Sequence, residues 1–180
     1  MVCIIRGGVP VSIFFSQVRA LPEPNDDRLS SLARAPYFRD VLQVPLNQTE
    51  LVASQLQFGI FNYLPSWVNA LMGLRNHLVK RLGFEVGQTT MTPEADHWEV
   101  GTKAGFLTVK EISDNEVISG AEDKHMSFFI SVKKTNNTVI VSTLVNQKTF
   151  LGRVYVNAIL PFHYVIARVV INNAVKAGRI

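Results

Sequence analysis

Cysteine is almost missing from this chain: Cys3 stands alone among 180 residues. That excludes an intramolecular disulfide and any cysteine-rich metal site, and it points to a reducing, cytoplasmic compartment. Charge is scarce as well, at 18% against 47% hydrophobic residues, a balance that excludes an intrinsically disordered chain. The net charge of +4 is spread thinly. Lys80-Arg81 and Lys133-Lys134 are the only adjacent basic pairs, so no basic face of the kind nucleic acid requires is expected. The four histidines, His77, His97, His125 and His163, include no i, i+4 pair and no His-x-His, which excludes a helical metal pair. No Gly-x-Gly-x-x-Gly fingerprint, phosphate loop, nucleophile elbow or Cys–His arrangement occurs, and no cofactor is expected.

Long hydrophobic runs are also missing. The apolar stretch Val9–Phe15 is broken by Pro10 and Ser12, and Val18-Arg19-Ala20 is a poor cleavage site. Residues 1–20 therefore read as a poorly ordered leader before one domain over 21–180, a length that buries a core without staples. The uncharged run Val154–Ala167 is short of the ~20 residues that span a bilayer, and fits a core helix better.

What is present is periodicity. Tyr37–Leu46 reads as a strand, with Phe38, Leu42, Val44 and Leu46 on one parity and Asp40 breaking it. Asn47-Gln48-Thr49-Glu50 matches a capping box, predicting a helix to about Gln57, with Gly59 as a break. Pro65 opens a second helix with an apolar stripe of Trp67, Ala70, Leu71, Leu74 and Leu78, stopped at Gly83. Glu85–Val100 is loop-like. Strands follow over Gly105–Ile112, Glu116–Ala121, Met126–Val132 and Thr138–Gln147, with turns at Asp114-Asn115 and Lys134–Asn137. Met126, Phe128, Ile130 and Val132 should face the last helix, and Ser127 and Ser131 should face away. That helix, Leu151–Lys176, is capped by Thr149 and ended by Gly178. Its broad stripe of Leu151, Val154, Tyr155, Ala158, Ile159, Phe162, Val165, Ile166, Val169 and Val170 is assigned to the sheet.

The order strand, two helices, antiparallel meander, long helix is that of the α+β helix-grip fold of START-type lipid carriers, plant pathogenesis-related allergens and polyketide cyclases. Three segments carry a closer likeness: Leu64-Pro65-Ser66-Trp67 with Leu74-Arg75-Asn76 and Gly83; Gly120–Phe128; and Leu151-Gly152-Arg153-Val154-Tyr155 with Pro161-Phe162-His163. Over about Leu21–Ala174 the chain resembles the bacterial family called domain of unknown function 2867. The resemblance implies the helix-grip fold and, because some relatives are fused to an oxidoreductase-like domain, a possible accessory role beside an NAD(P)-dependent partner.

The first functional expectation is a small hydrophobic ligand held between sheet and final helix. Its expected contacts are Trp67, Arg75, Met126, Phe128, Ile130, Val139, Val141, Tyr155, Ile159 and Phe162. A solid, close-packed core is the competing expectation for these residues. The enzyme alternative is cyclase- or isomerase-like, with Asp123, His125 or His163 as acid or base; Asp123-x-His125 on one strand would let the carboxylate orient the imidazole. Opposite the main stripe, Val156, Leu160, Ala167 and Ile171 form a second apolar face, expected to be covered by the earlier helices, by a second copy in a homodimer, or by a peripheral membrane contact.

Overall fold

The computed structural model describes residues 17–80 and 97–180. Residues 1–16 of the expected leader, the Gly83 stop and most of the 85–100 loop lie outside them. Elements run β1 (Arg19–Ala20), α1 (Arg28–Leu32), β2 (Tyr37–Pro45), α2 (Ala53–Phe61), α3 (Ser66–Lys80), β3 (Lys103–Ala104), β4 (Leu107–Ile112), β5 (Glu116–Glu122), β6 (Met126–Lys134), β7 (Thr138–Gln147) and α4 (Phe150–Lys176). Among the described residues the strands form one antiparallel sheet in the order β1-β2-β7-β6-β5-β4-β3. Sheet and long C-terminal helix together make an α+β, helix-grip arrangement.

The inner face of the sheet is organised in rows across the strands. Phe38, Val145, Phe128 and Ala121 pair in register as the first row. Asp40, Thr143, Ile130 and Ser119 form the second, and Leu42, Val141, Val132 and Val117 the third. The third row is fully buried with Val170, Ile171, Ala174 and Val175 of α4 and Ala53, Leu56 and Ile60 of α2. Two residues of strand separate successive rows, so the first and third lie about 13 Å apart. The second row is polar: Ser119 bonds Gln57 of α2 at 3.0 Å, and Asp40 bonds His163 of α4.

Met126, Phe128, Ile130 and Val132 share the inner parity, and Ser127 and Ser131 take the outer one. The outer serines are nevertheless buried, because residues 17–36 cover that side: Leu29, Leu32 and Ala33 pack on Ile118, Phe129 and Leu144. Asp27 caps α1 by accepting from Ser30 N at 2.9 Å. Its other oxygen binds Arg39, whose side chain is only 2% exposed. Arg19 and Ala20, placed by sequence in the leader, pair with Gln43 and Leu42 as an edge strand.

Three local expectations change. Residues 47–50 form a turn, and α2 begins at Ala53, where Gln55 Oε1 accepts from Val52 N at 3.1 Å. Gly59 lies inside α2 rather than ending it. A Cβ there would stand 2.9 Å from the Arg179 carbonyl oxygen, so glycine admits the C-terminal tail. In α3, Trp67 and Leu74 are 44% and 57% exposed while Val68 is buried, so the expected stripe is largely uncovered.

The rotation of α4 is the largest correction. Thr149 caps it as expected, accepting from Gly152 N at 3.1 Å, and Gly178 ends it at φ +63°. The buried face carries Val170 of the expected stripe, but with it Gly152, Val156, Ile171, Ala174 and Val175. Val156 and Ile171, assigned to the outer face, are each 1% exposed, while Val154, Phe162 and Val165 of the supposed core stripe are exposed. Both faces are apolar, so hydrophobicity alone left the rotation open; Gly152 sets it. A Cβ at Gly152 would come within 2.4 Å of the His125 carbonyl oxygen, so this side of the helix alone can approach the β5–β6 turn. By length and composition α4 also meets the requirement for crossing a membrane, at mean hydropathy 1.6 with 17% of its most apolar stretch buried.

Candidate functional site

The first row of the sheet is the floor of a cavity of about 840 Å³. Tyr155, Ile159, Phe162 and Ile166 of α4 form one wall, Leu71, Met72 and Leu74 of α3 another, and Phe106 closes the side. The rings of Phe106 and Phe128 stack with centroids 6.1 Å apart. Polar groups are few. Arg75 bridges the two helical walls, donating from Nε to Tyr155 Oη at 2.6 Å and from Nη1 to Asn76 Oδ1 at 2.8 Å. Its guanidinium also lies 5.5 Å from the Tyr155 ring centroid, so charge and ring face hold the contact together.

Further along the cavity, His163 Nε2 meets Asp40 Oδ2 at 3.2 Å. Arg168 Nη1 stands 3.8 Å from the same oxygen. The imidazole packs edge-on against Phe38 at 5.2 Å. At the rim, the Lys148 ammonium bonded to Glu122 holds that carboxyl below the usual carboxylate range.

Six of the ten expected contact residues line this cavity: Arg75, Met126, Phe128, Tyr155, Ile159 and Phe162. Ile130 lies one row deeper, 6% exposed, and Val141 two rows deeper. Val139 is buried deeper still, in the solid core. Period-two alternation gives the face of a residue and not its depth along the strand, which is why all five apolar strand residues read alike. Trp67 is exposed at the start of α3 and does not line the cavity.

The acid–base candidates separate. Asp123 lies in the β5–β6 turn, where its Oδ1 accepts from the backbone N–H groups of His125 and Met126 at 2.7 and 2.9 Å. It orients a turn rather than an imidazole. His125 is buried against the cap of α4, with Nδ1 3.0 Å from Thr149 Oγ1. His163 alone of the two histidines reaches the cavity. Its partner Asp40 was not among the candidates, although a carboxylate interrupting the inner parity of a strand was the signal for it. Among the described residues no cluster of His, Cys, Asp and Glu is able to hold a metal ion.

Parts of the three segments that carry the family likeness meet here: Leu74-Arg75-Asn76 on α3, Ala121–Asp123 with Met126 and Phe128 around the turn, and Tyr155, Phe162 and His163 on α4. Residues 32–170 match the profile of the family described as "Protein of unknown function (DUF2867)". No curated protein and no solved structure matches the chain.

Proposed function

The chain belongs to the DUF2867 family, and from the geometry of its cavity we propose that it binds a small apolar molecule between α3, α4 and the first row of the sheet. One observation carries this reading. The space of about 840 Å³ is walled chiefly by aromatic and aliphatic side chains and has few polar groups. Ligand sites fall at about 300–1,000 Å³, whereas close-packed interiors leave few voids larger than a water molecule. Phe128 is on the floor, so the larger ring of Phe128→Trp should narrow the space above it. Titration with the neutral dye Nile red should show affinity reduced about tenfold or more, the order expected when a ligand loses its main apolar contact area. Unchanged binding in a folded variant removes this location.

A second reading rests on the His163–Asp40 contact inside the same cavity. An imidazole oriented by a buried carboxylate is suited to moving a proton on a bound molecule. Deuterium exchange at the acidic C–H of a bound ketone, followed by NMR, tests it: exchange that survives His163→Gln excludes that role.

A further inference from the structure

We infer that the ligand of this cavity carries an anionic group on its apolar body, a carboxylate or its chemical equivalent, and that Arg75 receives it. The inference rests on the cavity reading above and adds the charge of the ligand's head. Arg75 is half-buried on α3, and its bonds go to the Tyr155 hydroxyl, the Asn76 side-chain oxygen and the Tyr155 ring, all of them neutral. Among the described residues no carboxylate pairs with it. Arg28, Arg39 and Arg168 differ, reaching Glu111, Asp27 and Asp40.

A guanidinium fixed by neutral partners keeps its full positive charge at the wall of a partly desolvated space. There the attraction for an anion is several times stronger than in water. Lys103 lines the same cavity, and its Nζ bonds only the Thr108 hydroxyl, at 2.8 Å, among the described residues. The carboxylates on the lining are already engaged: Glu122 by Lys148, and Asp123 by two backbone amides. Asp40, behind His163, is held by His163 and Arg168. Tyr155 and His163 are separated by about 12 Å along α4, so the cationic end and the imidazole end are distinct. An amphipathic anion would place its head at Arg75 and its apolar body over Phe128.

Calorimetric titration of the full chain with dodecanoate and with dodecanol tests this directly. The wild type should prefer dodecanoate by about ten- to a hundredfold, the usual worth of a hydrogen bond to a charged group. Arg75→Gln should abolish that preference by lowering dodecanoate affinity far more than dodecanol affinity, while Arg75→Lys should retain part of it. Equal affinity of the wild type for both compounds overturns the inference and leaves the cavity reading standing. So does a preference that survives Arg75→Gln. Failure of the wild type to bind dodecanoate, dodecanol or Nile red overturns the cavity reading and this inference together. If Arg75→Gln does not fold, Arg75→Lys decides: an undiminished preference in that variant overturns the assignment to Arg75.

Discussion

Gly152 decides more of this structure than any large residue in α4. Its hydrogen occupies the place where a Cβ would lie 2.4 Å from the His125 carbonyl oxygen. That oxygen also accepts from Lys148 N at 2.9 Å, so the obstacle is backbone held on both sides and unable to give way. Gly152→Ala should therefore lower stability by about 2–3 kcal/mol, the upper range for overpacking, despite alanine's better helix propensity. Urea unfolding measures it, and a stabilised variant would show that the helix and turn are free to separate. The Asp27–Arg39 pair makes a second residue-scale case. Burial works to raise the Asp27 pKa, but hydrogen bonds from Ser30 and Arg39 outweigh it and leave the carboxyl below its ordinary value. A depressed folded-state pKa contributes stability above the unfolded-state pKa and loses it as pH falls through the folded value. The hold of α1 on the sheet should weaken in acid accordingly. Arg39 is the costlier partner to leave alone, since its Nε and Nη1 are buried without hydrogen bonds among the described residues. Asp27→Ala should cost about 3–5 kcal/mol, whereas Arg39→Met should cost far less; equal losses in the two variants, read by denaturation at neutral pH, would refute this asymmetry.

At the scale of elements, the meander was readable because each strand alternates and each turn carries its own polar residues. Met126–Lys134 and Thr138–Gln147 fall where the parity of Met126, Phe128 and Ile130 and of Val139, Val141 and Thr143 places them. The start of α2 was not readable, since Asn47–Glu50 imitates a cap that the chain uses as a turn. The rotation of α4 was not readable either, for a different reason: a helix apolar all round has no moment strong enough to choose a face. Contact with the turn at His125 selects the side bearing Gly152, Val156 and Ile171. The cavity was legible as a set of residue types but not as a place, because Phe128 and Val141 share a parity while lying in different rows. The new rotation makes a direct prediction. Ile171→Ala should cost about 2–4 kcal/mol as a core truncation, and Val165→Glu should stay within about 0.5 kcal/mol as a surface change. Denaturation midpoints that reverse this order would place the other face on the sheet.

For the whole molecule, that rotation moves the question of association to a different surface. Val156 and Ile171, expected to be covered by the earlier helices, a second copy or a membrane, are internal, and Leu160 lines the cavity, so a charge at Leu160 tests the fold and the site rather than self-association. The exposed large hydrophobic residues of α4 are Phe150, Val154, Phe162, Tyr164 and Val165. The molecule thus divides along α4 into a consolidated half, where Val170–Val175 meet α2 and the third row, and a hollow half, where Tyr155–Ile166 face α3 across the cavity. Between them runs the polar row of Asp40, Thr143 and Ser119. Because the floor of the hollow half is chiefly the first register row, its capacity can change through Phe38, Val145, Phe128 and Ala121 and the facing helices, while the third-row core lies two rows away. Ligand range and foldability are in this way separate inheritances, and selection can revise the first without reopening the second.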